Sequence, residues 1–464
     1  MRTSRSVRSV VLFGWLFPGL VLAIATVPRP ALGIGWQSRG STQEGSEGHP
    51  WLMVGGDASH SGTTESPVPP YRESWSVPGL EPIAGPVVAG DAVILVGADK
   101  VVAVERATGR SLWDTDRDAG PGGSAAVSGD LVVFAEGRGR EAAISAVRLE
   151  DGEPVWSVAT RAPSLGGLAI ADGRVYAGTA DGRVLALAAD GGTRAWEYRA
   201  TGRVDNSPAV ADGLVYAVGE DFTSGVATVY ALDGGTGRER WRFSPSGPGI
   251  GVSSVSVAAD TAFVGLGDFA VHALDAVTGA ERWTSRARAP FSARLVPAAG
   301  DEVILGDRAG HLYGLEPGSG ERDWIFRFPG DLVDASPVLA GGAAVVGDGV
   351  GQASAIDLRS GLLVWKRVVG PGPVSAIASD GERLYLAVQG RSGRLVALEH
   401  DPEGDLLAEP SPTTLFLGRA LLNFAVAALV LGGAMILLVR WLGSGRMEPD
   451  PPPRVDDEKK GDGS

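Results

Sequence analysis

The chain has 464 residues, no cysteine and a formal net charge of −14. Without cysteine there are no disulfides, thiolate metal sites, c-type haem attachment or cysteine lipid anchor. The acidic balance, with no basic stripe interleaved with aromatics, argues against a nucleic-acid partner, which needs a basic surface.

Residues 1–9 carry Arg2, Arg5 and Arg8, and residues 10–27 are apolar. That is the layout of a secretion signal, so residues 1–33 are expected to be a signal peptide or N-terminal membrane segment. Residues 34–70 read as a linker and lead-in containing Trp51-Leu-Met-Val-Gly-Gly-Asp57-Ala-Ser-His60-Ser-Gly62.

Beyond it, seven tryptophans recur at Trp113, Trp156, Trp196, Trp241, Trp283, Trp324 and Trp365, spaced by 43, 40, 45, 42, 41 and 41 residues. Each has a glycine four positions earlier, from Gly109 to Gly361, and a small residue ten positions earlier: Ala103, Ala146, Ala186, Ala231, Ala273, Gly314 or Ala355. Only tiny side chains occupy that last slot, so something packs close to the strand. The turn leading to the glycine, as in Asp233-Gly-Gly-Thr-Gly237, suits side-chain capping and positive φ.

Upstream lie further short β-rich runs. In the third unit they are Gly167-Leu-Ala-Ile170, Arg174-Val-Tyr-Ala177 and Arg183-Val-Leu-Ala-Leu187, joined by Asp-Gly turns. With the tryptophan-bearing segment each unit holds four strands, which at about forty residues per unit predicts propeller blades. A last unit ends at Ala397-Leu398 without a tryptophan, while Glu73-Ser-Trp75-Ser-Val77 stands 38 residues before Trp113. The N-terminal strand is therefore expected to complete the last unit. This gives an all-β, eight-bladed propeller of four-stranded antiparallel blades over residues 71–402.

Residues 403–419 read as a linker. Residues 420–439 carry no charge over a length that spans a bilayer core of roughly 30 Å. Arg440 and Arg446 follow them, which places the tail, 440–464, in the cytoplasm as a disordered segment. The expected layout is a single-pass cell-membrane protein with its propeller on the extracytoplasmic side.

The units Val229-Tyr-Ala-Leu-Asp-Gly-Gly-Thr-Gly-Arg-Glu-Arg-Trp241 and His272-Ala-Leu-Asp-Ala-Val-Thr-Gly-Ala-Glu-Arg-Trp283 resemble the PQQ-like (pyrroloquinoline-quinone) repeat. The resemblance covers roughly residues 51 to 400. That family includes quinoprotein dehydrogenases and the propeller subunit of the outer-membrane β-barrel assembly machinery, and this chain is more similar to the latter. The resemblance implies that Trp113, Trp156, Trp196, Trp241, Trp283, Trp324 and Trp365, with Trp75, dock between neighbouring blades. In the dehydrogenases the quinone stacks between a tryptophan and a vicinal disulfide, which this chain cannot form. Sugar-oxidising relatives lack that disulfide too, so a cofactor stays open on that ground.

Two units open alike, with Val204-Asp205-Asn-Ser207-Pro208 and Val333-Asp334-Ala-Ser336-Pro337. Asp205 with Asn206, and Asp334, are the candidates for a Ca²⁺ and quinone site at the channel mouth. The competing role for each aspartate is to cap the turn before an innermost strand that starts with proline. His49, His60, His272, His311 and His400 show no metal-ligand spacing, so no metal site is expected. His60 and Asp57 read as a structural turn, and His272 as a strand side chain in the slot of Tyr230 and Tyr313. Arg286, Arg288 and Arg294 form either an anion site or a solvated basic patch.

No catalytic residue is identified and no cofactor is predicted. The leading expectation is a non-enzymatic scaffold for protein partners at the membrane. The alternatives are a quinone- and Ca²⁺-dependent dehydrogenase working over the central channel, and a glycan or sugar-binding sensor.

Overall fold

The computed structural model describes residues 52–407, except 54–55, 58, 61–62, 65–67, 83, 118–123, 139–140, 246–250, 290, 292–295, 298–301, 329–335 and 391. The expected signal segment, apolar span 420–439 and tail lie outside the described residues. Among the described residues no helix is long and apolar enough to cross a membrane.

Eight antiparallel meanders make up the described fold. Blade 1 runs Val87–Ala89, Ala92–Val96, Lys100–Glu105 and Ser111–Asp116. The same order recurs through blade 7, which ends with Leu363–Val368. Blade 8 takes Val374–Ser379, Arg383–Val388 and Arg394–His400 from the C-terminal side and Tyr71–Pro78 from the N-terminal side. The ring thus closes through β-pairing between the two ends of the propeller, as expected.

First strands of neighbouring blades touch from Val87–Ala89 to Val296–Pro297, and from Val338–Ala340 through Val374–Ser379 back to Val87–Ala89. They form the inner ring around the channel. Because each blade is an up-and-down meander, its turns sort onto two faces. The loop face holds the blade-to-blade connections and the turns between second and third strands. The docking face holds the other two turns, including the one before each tryptophan.

The tryptophans explain both small-residue slots. Each indole stands across the strand pair from the small residue of its own blade, as Trp113 does from Ala103, Trp196 from Ala186 and Trp75 from Ala397. The ring then lies against the glycine of the next blade. A methyl carbon on Gly109 would stand 2.6 Å from Trp75, and one on Gly279 would stand 2.6 Å from Trp241. Those glycines also have positive φ, 72° and 73°, so the turn needs glycine twice over.

The indole N–H is satisfied by the same turn. Trp75, Trp113, Trp156, Trp196, Trp241, Trp283 and Trp324 donate from Nε1 to the carbonyls of Arg106, Leu149, Ala189, Gly234, Ala276, Pro317 and Leu358, at 2.5–3.1 Å. Trp365 instead meets Tyr71 of blade 8 edge-on, with ring centroids 5.0 Å apart. A buried indole usually finds a partner for its N–H, and for these seven one turn supplies both contact and acceptor.

The lead-in is part of the fold. Met53 bridges Ala126, and Val127 donates its amide to the Leu52 carbonyl, so the segment starts on the first strand of blade 2. Val257 of blade 5 donates to the Ser59 carbonyl. Thr63–Thr64 then pairs in parallel with Val338–Ala340, the first strand of blade 7. His60 and Asp57 do sit in a turn, closed by the His60 amide on the Asp57 carbonyl.

Candidate functional site

On the loop face, between blades 3 and 4, lies a shallow open recess of about 340 Å³. Asp181, Arg199, Gly202, Arg203, Glu220 and Phe222 are among its walls. On the blade 3 side, Asp181 accepts from Thr179 Oγ1 at 2.6 Å and from Arg183 Nε at 2.9 Å. Burial alone would raise the Asp181 carboxyl, but those hydrogen bonds and the Arg183 charge hold it below its ordinary value.

The floor is the connection leading into blade 4. Arg203 and Glu220 exchange both backbone hydrogen bonds at 2.8 Å, fastening the connection along the edge of the blade. Gly202 permits this approach, since a methyl carbon there would stand 2.1 Å from the Glu220 carbonyl oxygen.

The rim on the blade 4 side is the turn from Asp221 to Gly225. The Asp221 carboxylate accepts from the Thr223 amide at 2.9 Å and from Ser224 Oγ at 2.7 Å, and the Gly225 amide donates to the Asp221 carbonyl at 2.7 Å. Ser224 and Thr223 accordingly lower the Asp221 carboxyl. This turn leaves Phe222 56% exposed, with the Arg203 guanidinium 6.0 Å from its ring centre.

Blade 5 carries a second aromatic tip. Phe269 occupies the slot filled by Gly182, Gly310 and Gly351 in other blades, and like them has positive φ, here 63°. It is 44% exposed. Behind it His272 is buried, with Nδ1 2.6 Å from Glu281 and Nε2 3.2 Å from Asp268, and Phe243 of blade 4 against its ring.

Asp205 and Asn206 lie on the connection beside this recess. Arg203 Nε donates to Asp205 Oδ2 at 2.7 Å, and Asn206 Nδ2 is 3.5 Å from the carbonyls of Val252 and Ser253. A carboxylate paired with a guanidinium, next to an amide whose nitrogen faces carbonyls, is not an oxygen cage suited to Ca²⁺. Asp334 lies outside the described residues. Among the described residues no group of three or more His, Cys, Asp or Glu converges as a metal site.

The other candidates are dispersed. His60 Nδ1 is 3.0 Å from the Val255 carbonyl, His311 Nδ1 3.0 Å from Asp307, and His400 Nδ1 2.8 Å from the Val68 carbonyl. The Arg286 carbonyl accepts from Arg322, and the Arg288 amide donates to the Tyr313 hydroxyl at 3.1 Å. His49 and Arg294 lie outside the described residues. No local motif marks Phe222, and the one sequence signal for Phe269 is that it fills a slot, four places before the small residue, that holds Gly182, Gly310 and Gly351 in other blades.

The chain is 26% identical over 182 residues to the tetrathionate hydrolase of Acidithiobacillus ferrooxidans, covering 39% of this chain and 32% of that one. It is 29% identical over 282 residues to the outer membrane protein assembly factor BamB of Salmonella typhimurium, covering 59% of this chain and 62% of that one. It therefore spans about a third of the first relative and under two thirds of the second. A solved quinohemoprotein alcohol dehydrogenase from Pseudomonas putida superposes with a TM-score of 0.62 over 78% of this chain and 82% of that one. At 13% identity that likeness shows the fold alone. The family described as outer membrane protein assembly factor BamB matches residues 79–158, 140–283 and 267–409, nearly the whole propeller, and the chain belongs to it.

Proposed function

We propose that this protein is a membrane-anchored, extracytoplasmic propeller that acts as a non-enzymatic scaffold, engaging a protein partner through the loop face of blades 3 to 5. The observation that carries the reading is Phe222. It is held half out in solvent by a turn locked on Asp221, beside a recess walled by both signs of charge. Phenylalanine and arginine are enriched in protein interfaces relative to the rest of the surface. The name of the Salmonella relative, an assembly factor, supports a protein as partner. Residues 420–439, followed by Arg440 and Arg446, supply the anchor in this reading.

The test is site-specific photo-crosslinking in native membranes from position 222, with position 277 on the docking face as control. A defined adduct from 222 that is absent from 277 supports the scaffold, and equal labelling from both positions overturns it. Adding quinone and Ca²⁺ to the purified ectodomain addresses the enzyme reading. Stoichiometric cofactor with dye-linked alcohol or sugar oxidation would replace the scaffold with a dehydrogenase.

A further inference from the structure

The inner edge of a propeller blade carries backbone N–H and C=O groups that need partners, like any sheet edge. At the docking-face mouth of this channel three such edges are met by one segment of the same chain. The bonds fall near the docking-face ends of the first strands of blades 2, 5 and 7: Val127 amide to Leu52 carbonyl at 2.8 Å, Val257 amide to Ser59 carbonyl at 2.9 Å, and Thr63–Thr64 in register with Leu339 and Ala340. Blades 2, 5 and 7 are not neighbours, so the segment has to cross the mouth to reach them.

Two side chains pin the crossing. Met53 is 3% exposed and packs into the core shared by blades 2 and 3. His60 is 5% exposed and bonds the Val255 carbonyl through Nδ1, from a backbone with φ of 59°. A non-glycine residue held in the left-handed region shows that surrounding contacts dictate the path.

We infer that this mouth is a strand-accepting site whose resident ligand is the chain's own lead-in, held through Leu52, Met53, Ser59, His60 and Thr63–Thr64. Its described residues staple blades 2, 5 and 7 across the channel. The chemistry recognised is an extended polypeptide backbone, bound mainly by edge hydrogen bonds and an apolar side chain in the Met53 position.

Hydrogen exchange tests this on the full chain and on a variant lacking residues 44–66. With the lead-in removed, the Val127 and Val257 amides should exchange about tenfold faster or more relative to the Val215 amide in the core of blade 4. A synthetic peptide of residues 50–66 added to that variant should restore their protection saturably, and a scrambled peptide should not. Unchanged exchange at both amides without the lead-in overturns the inference, as does a cooperatively folded variant that ignores the peptide. If the deletion does not fold, the full-length double substitution Met53→Ser with His60→Gly carries the same test. Selective loss of protection at Val127 and Val257 supports the site, and uniform or absent change overturns it.

Discussion

Gly152 of blade 2 lies directly beneath Trp113 of blade 1, close enough that a methyl carbon on it would stand 2.6 Å from the ring. The glycine and the tryptophan that share a repeat in sequence therefore serve different interfaces. Gly152 receives the ring from the blade before, and Trp156, four residues on, is passed to the blade after. Blades 1 to 7 are each both socket and plug, while blade 8 plugs Gly109 with Trp75 and meets Trp365 through Tyr71.

Gly152→Ala should destabilise the propeller far more than an ordinary glycine substitution. It combines positive φ, 75°, with a clash against a ring that is 8% exposed. Backbone strain and overpacking each cost on the order of 1–3 kcal/mol, so a total of about 2–6 kcal/mol is expected. Gly173→Ala is the control, with similar φ of 67° and open space around the site. Equal midpoints for the two variants in urea unfolding would refute the socket.

Trp113→Ala removes the plug from the same interface and should cost about 3–5 kcal/mol as a large-to-small core change. Trp113→Phe keeps most of the packing but loses the Nε1 hydrogen bond to the Leu149 carbonyl, so about 1 kcal/mol is expected from that bond, plus a smaller packing loss. A wild-type melting curve for the alanine variant would refute the docking role.

At the seam between blades 8 and 1, the buried Asp380 carboxylate lies 3.7 Å from Arg106 and accepts from the Tyr385 hydroxyl at 2.6 Å. Arg106 is also the residue whose carbonyl receives Trp75. Asp380→Ala leaves Arg106 without its ion partner and the Tyr385 hydroxyl and the Glu382 and Arg383 amides without their acceptor. Because Arg106 is partly exposed, the cost should fall near the lower end of the range for broken buried pairs, about 3 kcal/mol. Limited proteolysis should then show the first cut at the seam; a first cut elsewhere would argue against it.

Alkaline unfolding should follow the tyrosines. Burial raises the phenols of Tyr71, Tyr216 and Tyr385 well above the usual value, and burial with the Asp307 carboxylate raises Tyr313 to about 12. A phenol that holds its proton more tightly when folded adds stability that is complete below its unfolded value of about 10 and is lost as pH rises through the folded one. Absorbance at 295 nm should therefore stay flat near pH 10 for most tyrosines and rise together with loss of ellipticity. Independent titration near pH 10 in a folded protein would contradict the burial.

Blade number, strand order and the closing strand were legible because each rests on spacing, and spacing survives in sequence. The destination of each tryptophan was not legible in full. A contact to the next blade looks, in one dimension, identical to a contact within its own. The lead-in was harder still, since its bonds to Val127, Val257 and the Leu339–Ala340 strand use backbone groups that leave no side-chain pattern. Asp205 was singled out for its carboxylate, and only three dimensions bring Arg203 Nε to 2.7 Å from it.

Phe269 offers the sharpest separation of stability from function. Its slot is glycine in blades 3, 6 and 7, where φ is 87°, 80° and 87°, and phenylalanine at 63° gains only partial burial in return, being 44% exposed. An aromatic residue in the left-handed region costs on the order of 1–3 kcal/mol. Phe269→Gly relieves that strain but loosens the unfolded chain, so a net gain of about 0.5–1.5 kcal/mol is expected. A protein that keeps a strained, exposed ring for binding should lose partner crosslinking from position 222 in this more stable variant. Stability raised with crosslinking intact would leave Phe269 outside the interface. A loss of stability would mean that the ring packs against something its exposure hides.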